Sequence, residues 1–209
     1  MDTLIKIYVD GGVWMHPITF MSIVGMAVAL DRFYFLYLKY NVDANALMNR
    51  ISSLILDRKI DEAIKVCNTL PNSALAQVLK AGLTKATAAP ESVSSSLEEA
   101  ALAITPQVTK RSTLLQQVAN IATLLGLLGT IAGLIGAFGA LATVTDPEQQ
   151  TKLLTNGIAV AMNTTAFGLV VAIPCLLAHA MLSTLTKKIL DDIELNSVKL
   201  QNLLVLARK

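Results

Sequence analysis

Long apolar runs alternate with shorter polar stretches along the chain, and three of the apolar runs carry no charge at all. No Asp, Glu, Lys or Arg falls between Asp10 and Asp31, between Arg111 and Asp146, or between Lys152 and Lys187. These gaps hold 20, 34 and 34 residues, and a membrane-spanning helix needs about 20. The pattern predicts an all-α, polytopic membrane protein with transmembrane helices at 13–38, 112–144 and 156–183. The intervening parts are an N-terminal stretch 1–12, a helical body 39–111, a connecting loop 145–155 and a C-terminal helix 184–209.

The body shows helical periodicity. Leu47, Met48, Ile51, Leu54 and Ile55 recur at three- and four-residue spacing within Asn45–Leu56. A second helix is expected from Ile60 through Cys67. Pro71-Asn72-Ser73 then supplies a stop and a cap for a third, over Ala74–Ala86. Pro90 suits the first turn of a fourth, with Glu91, Glu98 and Glu99 near its start. That fourth helix is expected to run on into the second span with a kink at Pro106.

Composition agrees: 54% of the 209 residues are hydrophobic and only 15% charged, against roughly a quarter charged in a soluble domain. The net charge of +2 implies no nucleic-acid footprint. Basic residues set the orientation. The segment Lys39–Arg111 holds nine Lys/Arg and Thr184–Lys209 five, whereas Lys6 stands alone before Trp14 and Lys152 alone between the last two spans. By the positive-inside rule the N-terminus is outside, and the body and C-terminal helix are cytoplasmic. Met1-Asp2-Thr3 lacks the basic start of a cleaved signal peptide. Cys67 and Cys175 are expected to stay unpaired and packed.

Length carries a mechanistic clue. Thirty-four helical residues extend about 51 Å, against a hydrocarbon core of about 30 Å. The second and third spans therefore overshoot the bilayer, chiefly through Ser112–Asn120 and Leu182–Thr186. Uncharged helix in water needs a partner, and a homo-oligomer provides one.

Small residues line both long spans. Gly126, Thr130, Gly133, Ala137 and Ala140 share one face of the second; Gly157, Ala161, Thr164, Thr165, Gly168 and Ala172 share one of the third. Such stripes let membrane helices approach closely, and Gly126, Gly133, Gly157 and Gly168 are assigned to packing. The hydroxyls of Thr130, Thr164 and Thr165, with Asn163 on a neighbouring face, are candidates for the wall of an ion path. Both faces are expected to point into a shared central space. Asn156 is polar in the same span. Between Ser112 and Thr145, and between Leu153 and Thr186, there is no Asp, Glu, Lys or Arg, so a carboxylate for proton hopping has to come from another chain. No HExxH, GxSxG or Walker-type loop points to an enzyme.

Two motifs, Leu125-Gly126-Leu127-Leu128-Gly129-Thr130-Ile131-Ala132-Gly133 and Gly157-Ile158-Ala159 with Thr165-Ala166-Phe167-Gly168-Leu169-Val170-Val171-Ala172-Ile173-Pro174, resemble the MotA/TolQ/ExbB family, closest to its three-span TolQ/ExbB type. The likeness extends to Leu30-Asp31-Arg32-Phe33 and Asp61-Glu62-Ala63-Ile64. It implies a ring, pentameric in that family, in the bacterial inner membrane with a periplasmic N-terminus. The ring would surround a TolR/ExbD-like single-span partner that supplies an intramembrane Asp, and would turn H⁺ or Na⁺ flow into work on the envelope, with no bound cofactor. By position Thr130 and Thr165 match the family's lumen threonines, and Asp31 with Arg32 its pair at the inner end of the first span, a coupling or anchor pair. Val160 stands where TolQ and ExbB carry a glutamate. The alternative is a membrane scaffold whose glycines and threonines only pack helices.

Overall fold

A computed structural model describes Tyr8 and residues 11–40 and 42–207. Among these the structure is helical throughout, with no strand. Helix α1 spans Met15–Phe33 and passes into a π-helical segment, Tyr34–Tyr40. Then follow α2 (Ala44–Leu56), α3 (Ile60–Asn68), α4 (Ala74–Thr84), α5 (Pro90–Thr109), α6 (Ser112–Leu141) and α7 (Pro147–Leu206). Three helical stretches, Met15–Tyr37, Pro90–Leu141 and Pro147–Leu206, are long and apolar enough to cross a bilayer.

The chain divides into two compact units, one of residues up to Leu30 with Arg111–Ala180, the other of Asp31–Lys110 with the chain from Met181 onward. The first contains the apolar spans. Its core is small: Ile18 of α1, Val118, Ala119 and Ala122 of α6, and Val171, Ala172 and Cys175 of α7. Phe20, Ile23, Leu124, Ile135, Met162 and Val170 are exposed, as suits a surface whose solvent is hydrocarbon rather than water.

The second unit is a helical body with its own core. Local sequence fixes its helix starts: the Asp43 carboxylate accepts from the backbone N–H groups of Asn45 and Ala46, both at 3.1 Å, and the Ser73 hydroxyl accepts from that of Ala76. Pro90 opens α5 at a position that needs no N–H. Arg58, left-handed at φ 61°, closes α2: its N–H donates to the Ile55 carbonyl and that of Lys59 to the Leu54 carbonyl, the paired bonds of a Schellman motif. Ile51, Ile55, Val78, Leu79, Leu83, Val93 and Leu200 are buried. Gly82 admits Leu97 and Leu200; a methyl there would meet Leu97 Cγ at 2.8 Å.

Three expectations change. The loop expected over 145–155 shrinks, because Pro147 starts α7 and the Asp146 carboxylate accepts from the N–H of Glu148 at 3.2 Å. Lys152 then pairs with Glu148 one turn earlier, at 2.7 Å. The third span and the C-terminal helix are one element of 60 residues. Finally, α5 passes through Pro106 as helix and ends at Thr109, so the interruption before the second span lies at Lys110–Arg111. The expected N-terminal segment 1–12 falls largely outside the described residues.

Candidate functional site

Helices α6 and α7 cross through their glycines. A methyl on Gly168 would stand 2.8 Å from the Ala122 carbonyl oxygen, and one on Gly126 would stand 3.2 Å from both the Thr164 carbonyl oxygen and Thr165 Cα. A methyl on Gly133 would meet Ala161 Cα at 3.3 Å, and one on Gly157 would meet Ala137 Cα at 3.2 Å. Only hydrogen leaves room for such backbone approach. The two small-residue stripes therefore face each other within a single chain.

The crossing places the threonines differently. Thr164 is fully buried, its hydroxyl donates to the Ala161 carbonyl of its own helix at 2.8 Å, and a methyl on Gly129 would meet its Oγ1 at 2.7 Å. Thr164 is seated over Gly129 inside the crossing. Gly129, three residues after Gly126, was not singled out in the sequence; the signal for it was the Gly-x-x-Gly spacing in Gly126-Leu127-Leu128-Gly129.

Thr130 and Thr165 are half-buried, at the edge of the same crossing, and their hydroxyls hydrogen-bond to each other. Thr130 Oγ1 also lies 3.2 Å from the Gly126 carbonyl oxygen and 3.2 Å from that of Ala161, and Thr165 Oγ1 lies 3.1 Å from Gly126 O. Four contacts join these atoms, yet two hydroxyls carry only two protons and carbonyls cannot donate. The two protons are shared among these four contacts. The result is a cluster of four oxygens around two hydroxyl protons, with more acceptors than donors.

The other polar positions stand apart from this cluster. Asn163 is half-buried and makes no hydrogen bond among the described residues, Val160 is half-buried one turn before it, and Asn156 is exposed. His179 Nδ1 donates to the Ser112 carbonyl at 2.8 Å, which ties α7 to the first residue of α6. The Asp31–Arg32 pair lies in the second unit. The buried Arg32 guanidinium donates through Nε and Nη2 to Asp31 Oδ2, at 3.1 and 3.0 Å, and through Nη1 to the Lys110 carbonyl at 2.8 Å. It also sits 5.3 Å over the Phe35 ring. Among the described residues no group of three or more His, Cys, Asp and Glu gathers to hold a metal.

Three apolar helical stretches and a close-packed, uncharged α6–α7 crossing edged by hydroxyls are those of a multi-pass membrane protein. Residues 71–195, which include α6 and most of α7, match the MotA/TolQ/ExbB proton channel family. The chain belongs to that family, one of channel and motor subunits rather than of enzymes. No curated protein matches the chain closely enough to count as a relative.

Proposed function

We propose that the chain is the ring subunit of an ion-driven motor of the bacterial inner membrane, in the manner of TolQ and ExbB. Several copies surround the paired transmembrane helices of a TolR/ExbD-like partner, and ion flow between them does mechanical work on the envelope. The observation that carries this reading is the half-buried Thr130–Thr165 cluster in a span without charges. Surplus acceptor oxygens attract a cation, while exchangeable hydroxyl protons can relay one. With Val160 in place of the family's glutamate, the acid of the pathway comes from the partner's Asp. H⁺ and Na⁺ both suit the oxygen donors.

The proposed orientation puts residues 1–12 and the α6–α7 connection in the periplasm, the helical body and the end of α7 in the cytoplasm, and membrane lipid around α1. It rests on the surplus of Lys and Arg in the latter segments. Asp31 and Arg32 serve here as an anchor pair. One observation favours a scaffold instead: the glycines, and Thr164 with them, are consumed by packing within the chain. A structure of the chain with its single-span partner separates the two. A ring whose Thr130–Thr165 edge faces an axial space holding the partner supports the motor. The same edge against lipid, or a solid bundle, supports the scaffold.

A further inference from the structure

Between α5 and α6 only two residues leave the helix: Lys110 is extended (φ −47°, ψ 133°) and Arg111 is left-handed (φ 60°, ψ 0°). A non-glycine residue in the left-handed region persists only where its surroundings hold it there. Lys and Arg are good helix formers, so local propensity favours a single helix across this point. At Arg58 the left-handed turn belongs to an ordinary helix stop, but at Arg111 helix continues on both sides.

The hydrogen bonds on either side show what holds the break. In an unbroken helix the Lys110 carbonyl would accept from the N–H of Leu114. Here that N–H goes to the Arg111 carbonyl at 3.1 Å, and the Lys110 carbonyl accepts from Arg32 Nη1 instead. The guanidinium is fixed for this task by its two bonds to Asp31 Oδ2 and by the Phe35 ring. In the other unit His179 Nδ1 donates to the carbonyl of Ser112, the first residue of α6.

We propose that Arg32 is a positioning residue that keeps α5 and α6 separate by drawing the Lys110 carbonyl out of the helical ladder, with His179 as a second hold on the start of α6. When Arg32 is lost, the Lys110 carbonyl pairs with Leu114, Arg111 returns to the right-handed region, and the two helices join. The proposal concerns the backbone and stands apart from the reading of the chain as a motor subunit.

Amide hydrogen exchange on the full chain in lipid nanodiscs tests it. At the break the N–H groups of Ser112 and Thr113 have no carbonyl four residues back to pair with. Arg32→Gln is expected to slow their exchange at least tenfold, because joining the helices gives them the carbonyls of Val108 and Thr109. Adding Arg111→Gly, which makes the left-handed turn easy, restores fast exchange, whereas Arg111→Ala, which loses the same side chain, does not. If Arg32→Gln fails to accumulate, Arg32→Lys, which keeps the charge but not the fork of donors, is expected to give a smaller slowing at the same two amides. Unchanged exchange at Ser112 and Thr113, or faster exchange along α5 and α6 alike, overturns the proposal. So does equal rescue by Gly and Ala.

Discussion

Gly168 of α7 lies so close to Ala122 of α6 that a methyl on its Cα would stand 2.8 Å from the Ala122 carbonyl oxygen. The obstacle is backbone, which cannot swing aside as a side-chain tip can. Gly168→Ala should therefore destabilise the α6–α7 pair by about 1–3 kcal/mol, the usual cost of overpacking. Gly136→Ala is the control, because nothing lies within 4 Å of a methyl there. Thermal unfolding in detergent checks both: a lower midpoint for Gly168→Ala and little change for Gly136→Ala.

Arg58 occupies the left-handed position of the α2 stop, where glycine carries no Cβ penalty. Arg58→Gly is expected to stabilise the helical body by a few tenths to about 1 kcal/mol. Denaturant unfolding followed by helical circular dichroism measures it, and a lower midpoint would contradict the Schellman assignment.

Burial pushes the Cys67 thiol up to about 11 from an ordinary 9.0, with the charge of Lys80 pulling the other way. The folded protein thus holds the neutral thiol while the unfolded chain begins to ionise near 9. The contribution to stability is complete below that pH and is lost as pH rises towards 11. Alkylation at pH 8 should be at least tenfold slower in the folded protein than in denaturant, and Cys67→Ala should flatten the alkaline loss of stability. Equal alkylation rates would contradict the burial.

Val160, which the motif resemblance sets where TolQ and ExbB carry a glutamate, is half-buried. Val160→Glu places a carboxylate in the span at a cost of about 2.5–3.5 kcal/mol on insertion scales. Lower membrane yield or assembly is expected, with recovery at low pH where the acid is neutral. Full yield and activity that do not vary with pH would show that this position already meets water or a cation.

Particular residues show what the sequence could and could not disclose. The uncharged runs placed the spans, and Ser73 and Pro90 placed helix starts, because each acts through its immediate neighbours. The polar run Glu148–Lys152 suggested a loop, yet it forms the first turns of α7: Pro147 and the Asp146 cap start the helix, and a Glu148–Lys152 pair lies along it. The helical wheel grouped Thr164 with Thr165, since it reports a face and not what meets that face; contact with α6 buries one and leaves the other at the edge. Nothing local marked Lys110–Arg111 as the break. The Lys110 carbonyl there is held by the Arg32 guanidinium, 78 residues away in sequence, and Pro106, the local helix breaker, is accommodated inside α5.

The central claim is that the Thr130 and Thr165 hydroxyls serve ion movement and not only packing. Val keeps the shape of Thr and removes the hydroxyl, so Thr130→Val and Thr165→Val separate the two roles. The measurement is H⁺ and Na⁺ flux into proteoliposomes holding the chain with the proposed TolR/ExbD-like partner, with assembly checked by size on the same samples. A fall of tenfold or more in flux with assembly intact is the predicted result. Flux equal to that of the unaltered complex in both variants would contradict the claim and leave the two threonines as packing residues.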